Sequence, residues 1–344
     1  MLAAIRGDRT HAARCLAAAA GVVAVTHAGL AAAQAARPET GALMGAQRQS
    51  DLIFIHGLDD RYGGLGFTSP TNGEGWLRLD GGGMKSSSNN ARFEADSSTW
   101  LLQGGVALPV PRSWSHWRLG ALASYGSAST DGTAAGNPYT AKGQADGYGL
   151  GLTATWRQDP TSRLGWYGDL WWQYGWFDNS VSPPGLATND YKSHVGLASG
   201  EAGYSFALTP GWLLTPQAQW VYVHNHAYTF IESDGTQVES AHRGGWTSRL
   251  GVRLQRTSDP DQRGLRLSPY AAANWWHDAY LGDEVIYNGS QSIKDLYPND
   301  RFELKGGLSI GVGNKWSAWG DVGWQTGNQS FQAWTARVGA RYAW

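Results

Sequence analysis

The chain has 344 residues with 27 basic and 28 acidic side chains, and the resulting formal charge of −1 gives no argument for a nucleic-acid partner. Only 16% of residues are charged, against about 25% in an ordinary soluble domain, while 19 tryptophans and 15 tyrosines outnumber 8 phenylalanines and 3 methionines, a bias toward rings with a polar edge that suits a membrane interface. With a mean hydropathy of −0.39 and no clean apolar run of about 18 residues beyond the N-terminus, a bundle of spanning helices is excluded, so a membrane protein of this composition must be a closed barrel.

In chain order, Arg6, Arg9 and Arg14 precede CLAAAAGVVAVTHAGLAAAQA, which ends in the small-x-small sequence Ala33-Gln34-Ala35. This pattern predicts a secretory signal peptide over residues 1–35, an Ala-rich leader being the alternative. The single cysteine, Cys15, lies inside it, so the mature chain would contain no thiol and could form no disulfide.

Residues 36–64 read as a linker with a helix. TGALMGAQRQSDLIFIHGLDDR, residues 40–61, lacks strand alternation and proline and is followed by Tyr62-Gly63-Gly64, a helix stop. One helix of this length would measure about 33 Å, enough to traverse a barrel of membrane height. Its middle, Gln47 to Asp51, suits a polar lumen better than lipid; a periplasmic amphipathic helix is the alternative.

Residues 65–344 read as one barrel domain, in which the signal has period two from about Gly73 onward. Trp334, Ala336, Val338, Ala340, Tyr342 and Trp344 share one face, opposite Thr335, Arg337, Gly339 and Arg341; Phe302, Leu304, Leu308 and Ile310 oppose Arg301, Glu303, Lys305 and Ser309. Val195 and Leu197 break the pattern by falling on the polar side. Twelve strands are predicted, near 73–82, 91–108, 112–127, 143–157, 164–178, 190–207, 212–228, 243–257, 264–279, 299–312, 315–326 and 331–344. The connectors after even-numbered strands are short and most of the others long, as in outer-membrane barrels. Trp114, Trp117, Trp212, Trp275, Trp276, Trp316 and Trp324 sit near strand ends, where aromatic girdles would lie. The predicted fold is therefore all-β, a twelve-stranded antiparallel transmembrane β-barrel with an N-terminal α-helix plugging the pore.

DGYGLGLTATW, GWYGDLWWQYGWFDN, ASGEAGYSFAL, LLTPQAQWVYVHN, TSRLGVRL, SPYAAANWWH and the terminal GARYAW, preceded by RPETGALMGAQRQSDLIFIHGLDDRYG, resemble in order the strands and linker helix of the C-terminal translocator domain of type V autotransporters, over roughly residues 37–344. The resemblance implies a barrel in the bacterial outer membrane, surrounded by its lipid and inserted as a monomer by the barrel-assembly machinery with periplasmic chaperones, which exports an N-terminal passenger. Here the passenger is expected to be absent or vestigial, encoded separately, or upstream of this reading frame. Glu201 resembles the family's acidic residue on the lumen wall, and with Asp169, Gln217, Gln219, Arg249 and Arg253 it is expected to contact the plug. Arg337, Gly339, Tyr342 and Trp344 match the family's terminal assembly signal, in which the last strand pairs with the insertase by edge augmentation. Two departures stand out. Ala46-Gln47 occupies the place where the family often carries asparagine, so self-cleavage does not transfer, and Ala272 stands where many members have an acidic residue.

No HExxH, GxSxG or phosphate-cradling loop is present, and no enzyme activity or cofactor is expected. His224 and His226, two apart in a strand, share a face, which reads as a surface pair rather than a metal site. Asp190, Ser193 and His194 are the nearest to a hydrolase set, but adjacent strand residues point to opposite faces. The competing readings are a stand-alone outer-membrane porin or adhesin-like barrel, and a secreted tryptophan-rich carbohydrate-binding β protein.

Overall fold

A computed structural model describes residues 37–65, 73–240, 244–258, 261–262, 264–279, 281, 284–313 and 315–344; the signal-peptide reading lies outside these residues. Helix α1 (Pro38–Leu52) and the short α2 (Leu58–Tyr62) precede a barrel of twelve strands: β1 (Glu74–Ser87), β2 (Phe93–Leu108), β3 (Trp117–Ala134), β4 (Ala141–Arg157), β5 (Gly165–Ser182), β6 (Asn189–Thr209), β7 (Trp212–Ala227), β10 (Gly245–Arg256), β11 (Leu265–Ala279), β14 (Asp300–Val312), β15 (Trp316–Gly327) and β16 (Gln332–Ala343). Every neighbouring pair is antiparallel, and β16 closes on β1 from Glu74 opposite Ala343 to Lys85 opposite Gln332. Four short strands, β8 (Phe230–Ile231), β9 (Gln237–Ser240), β12 (Val285–Tyr287) and β13 (Gln291–Ile293), form a second sheet from two loops.

The polarity of the barrel is inverted relative to a soluble core. Leu304 is 71% exposed, whereas its strand neighbour Glu303 is 5% exposed. Along the outside, Trp100, Tyr125, Tyr148, Trp176, Trp246, Trp275, Trp324 and Trp334 form one belt, and Trp117, Trp166, Trp212, Trp316 and Trp344 lie toward the other rim. The belts are eight residues apart on β15 and ten on β5, which at ~3.3 Å per residue and ~40° tilt is about 20–25 Å, the apolar height of an outer-membrane barrel. Trp276 does not join them: it faces inward and donates to Glu303 at 3.1 Å.

Two further expectations need correction. The long connector expected after the third strand is largely strand, since β3 runs to Ala134 and β4 starts at Ala141, and the one after the fifth is shortened because β5 runs to Ser182. Their inward positions, including Ala128, Thr130, Gly132, Gly143 and Ala145, are small rather than apolar in the usual sense because α1 lies directly on them. Gly41, Ala42, Gly45 and Ala46 of the helix face this wall, and a Cβ on Gly132 would strike the Ala42 amide nitrogen and the Pro38 carbonyl. Gly132→Val is therefore expected to cost about 1–3 kcal/mol of overpacking, seen as a lower unfolding temperature in heat-modified gel migration.

The plug is also two helices, not one over 40–61. The chain leaves the α1 helix at Leu52, and Ile53 to Gly57 run irregularly before α2. β-Branched Ile53 and Ile55 weaken helix propensity, and the break has a matching surface: Leu52, Ile53, Phe54 and Ile55 pack on Trp171, Phe177, Val195, Leu197, Val221 and Val223. Val195 and Leu197 thus do face the lumen, as an apolar seat for the bend.

Candidate functional site: a plugged lumen

At the bend, the His56 carbonyl accepts hydrogen bonds from Gln219 Nε2 at 2.8 Å and Trp171 Nε1 at 3.1 Å, and the imidazole stacks on Trp171 at 4.4 Å between ring centres. These partners satisfy a carbonyl that the broken helix leaves open. Helix α2 then begins with Asp60 accepting the Gly57 N–H at 2.8 Å, half of a capping box. The Leu58 N–H donates to Glu201 at 3.1 Å, so a negative charge from the barrel wall sits at the helix amino end. Glu201 in turn pairs with Arg249 at 3.0 Å and accepts from the Tyr167 hydroxyl at 2.9 Å.

The remaining charges of α2 are held as tightly. Arg61 pairs with Asp169, which also accepts from Thr155 at 2.6 Å; Asp59 meets Arg253 at 3.2 Å. Asp60 is bound by Lys305 at 3.0 Å and by Arg337, and Arg337 reaches Asp80 at 3.0 Å and Asp321 at 3.4 Å. Buried charges persist only when paired and hydrogen-bonded, so this network specifies one seating of the plug.

Higher up, Arg48 of α1 pairs with Asp278, itself bound by Arg301 at 2.8 Å, and Gln47 donates to Ser240 at 2.7 Å. The helix amino end lies under the loop sheet: Thr40 and Tyr287 hydroxyls are 2.9 Å apart, and Arg37 pairs with Glu39 and Glu232. Burial, opposed by Arg37, pushes the Glu232 carboxyl up to about 7, whereas the Thr236 amide holds Asp234 below the usual carboxylate range.

Of the six residues expected at the plug, Asp169, Glu201, Gln219, Arg249 and Arg253 cluster around Gly57 to Gly64. Gln217 stays on the wall, accepting from Tyr167 at 3.3 Å. Sequence reasoning missed Lys305 and Arg337 as plug anchors and Asp321 as a wall partner of Arg337, although their place on the polar face of alternating strands was the available signal. Of the terminal set, Arg337 is the lumenal anchor just described, Gly339 lies against the Trp319 ring, and Tyr342 and Trp344 face outward at the lower rim. Ser193 points inward and accepts from Asn179, while His194 points outward, so the two do not converge with Asp190.

The sequence matches the autotransporter beta-domain over residues 75–323. It is 30% identical over 329 residues to the uncharacterized protein YdeU of Escherichia coli K12, covering 90% of this chain and 70% of that protein. It is 24% identical to the autotransporter adhesin AIDA-I of Escherichia coli over 89% of this chain but 25% of that protein, so it spans about a quarter of that relative's length. The crystal structure of the transport unit of AIDA-I aligns with a TM-score of 0.77 at 23% identity, covering 90% of this chain and 99% of that one.

Proposed function

Because the chain belongs to the autotransporter beta-domain family, we propose that it serves as the outer-membrane translocator and surface anchor for polypeptide joined to the amino end of its plug. One observation supports this above the others: α1 starts beneath the loop sheet on the long-loop rim and α2 ends near the short-turn rim, where β1 begins. The amino end of the plug at Arg37 therefore opens to the outside when the short turns face the periplasm. An open porin is disfavoured by the same plug, which fills the lumen with paired charge.

Outer-membrane lipid surrounds the belts, and insertion as a monomer by the barrel-assembly machinery, after escort by periplasmic chaperones, uses Arg337, Gly339, Tyr342 and Trp344 as the terminal signal. Gly339 leaves room for Trp319, while Tyr342 and Trp344 present an aromatic edge at the lower rim. An epitope placed directly before Arg37 tests the export reading. Antibody is expected to reach it on intact cells, while an epitope in the turn at Thr161 is reached only after the outer membrane is permeabilised; the reverse pattern contradicts the proposal.

A further inference from the structure

The loop sheet of β8, β9, β12 and β13 hangs from the β7–β10 and β11–β14 connections and rests on the amino end of α1. Its seat has an apolar and an ionic part. Val238, Val285 and Tyr287 pack with Ala42, Leu43 and Met44, and the Arg37 guanidinium lies over the Tyr287 ring at 5.8 Å. Beside them the turn between β8 and β9 is closed by two backbone bonds, Glu232 N–H to the Thr236 carbonyl and Gly235 N–H to the Glu232 carbonyl, both 2.9 Å. This turn sets Glu232 against Arg37, with the Glu232 side chain 0% exposed.

The ionic part is unbalanced. One guanidinium, that of Arg37, serves three carboxylates: Glu39 of α1, Glu232, and Asp234 of the same turn at 3.4 Å. Asp234 is 38% exposed and has water as a partner, but Glu232 is enclosed, and its Oε1 has no hydrogen-bond partner among the described residues. From β12 the group is faced by the Tyr287 phenol, which burial keeps neutral. Enclosing a carboxylate short of partners favours its neutral form, in agreement with the upward shift of Glu232 to about 7. Asp234, held low by Thr236, stays ionised across that range. Once the sheet lifts, Glu232 meets water and ionises near the ordinary glutamate value of about 4.3. The closed seat therefore binds the proton more tightly, so acid stabilises it and ionisation through neutral pH loosens it.

We propose that Glu232 and Arg37 form a proton-controlled latch: with Glu232 neutral the loop sheet stays on the amino end of the plug, and with Glu232 ionised it lifts more often. The latch lies on the long-loop rim, so its proton comes from the external medium when the short turns face the periplasm. The inference concerns the seating of the loop sheet and holds whether or not polypeptide leaves by that end.

The test uses the full chain in neutral detergent, in a Cys15→Ala background, with a single cysteine at Val238, which is 3% exposed between the sheet and α1, or at Ser292, which is exposed on β13. The rate of maleimide labelling at Val238 divided by that at Ser292 cancels the ionisation of the thiol and reads how often the sheet lifts. This ratio is expected to rise about tenfold from about pH 6 to about pH 8, most of it below about pH 7, as the release of one proton requires. Glu232→Gln should hold the ratio at its low value throughout. Arg37→Gln should move the rise to higher pH, because Arg37 opposes the protonation of Glu232. Heat-modified migration reports that each variant is folded. A flat ratio in the parent chain, an unchanged rise in Glu232→Gln, or a rise in Arg37→Gln at the same or lower pH overturns the proposal.

Discussion

Arg337→Leu is expected to lower barrel stability by about 3–5 kcal/mol, the usual cost of removing one partner from a buried ionic group. Arg337 is 8% exposed and contacts Asp60 of the plug, Asp80 of β1 and Asp321 of β15. Without it Asp60 retains Lys305 and Asp80 retains Arg78 at 2.8 Å, but Asp321 loses this cation. Urea titration monitored by gel migration reads the effect. Arg337→Lys should recover only part of it, because one ammonium cannot match a guanidinium fork directed at three carboxylates. Combining Arg337→Leu with Asp60→Leu should cost less than the two single changes summed, the signature of direct coupling. A loss below about 0.5 kcal/mol would reduce Arg337 to an ordinary surface-like position.

The second large effect concerns the pore. Deleting Thr40 to Arg61 removes the helix material that fills the lumen, beside which there is now a side cavity of about 160 Å³ lined by His56, Asp60, Asp80, Glu303, Lys305 and Arg337. A helix with its side chains is about 10–12 Å across, so its loss should raise single-channel conductance on the order of tenfold or more. Planar-bilayer recording of both chains gives the answer. Equal conductance refutes plugging.

Much of this was legible in the sequence because a barrel strand carries its sidedness in every second residue. The alternation of Phe302, Glu303, Leu304 and Lys305 marked both faces of β14, and short connectors marked one rim. The spacing also placed Asp169, Glu201, Gln219, Arg249 and Arg253 on the inner face, though only packing shows that they meet one stretch of chain from His56 to Gly64. What was not legible depended on contacts distant in sequence. The helix break at Ile53 is stabilised by Trp171, Val195 and Val221, none of which is local to it. The loop sheet forms because Val238 pairs with Tyr287 and Val285 with Ser240, a match between two loops that neither signals alone. The inner faces of β3 and β4 were underestimated because glycine, alanine and threonine there answer to a closely packed helix rather than to an apolar core.

The most direct measurement is spin-label accessibility in lipid vesicles, in a Cys15→Ala background, with single cysteines at Leu170, Leu304, Gln173 and Ser309. Labels at Leu170 and Leu304 should collide with dissolved oxygen and be shielded from a water-soluble nickel chelate, while labels at Gln173 and Ser309 should show little contact with oxygen. Nickel access at Leu304 together with oxygen access at Gln173 would mean that the ionic face meets the outside and the leucines fill the interior, contradicting the account.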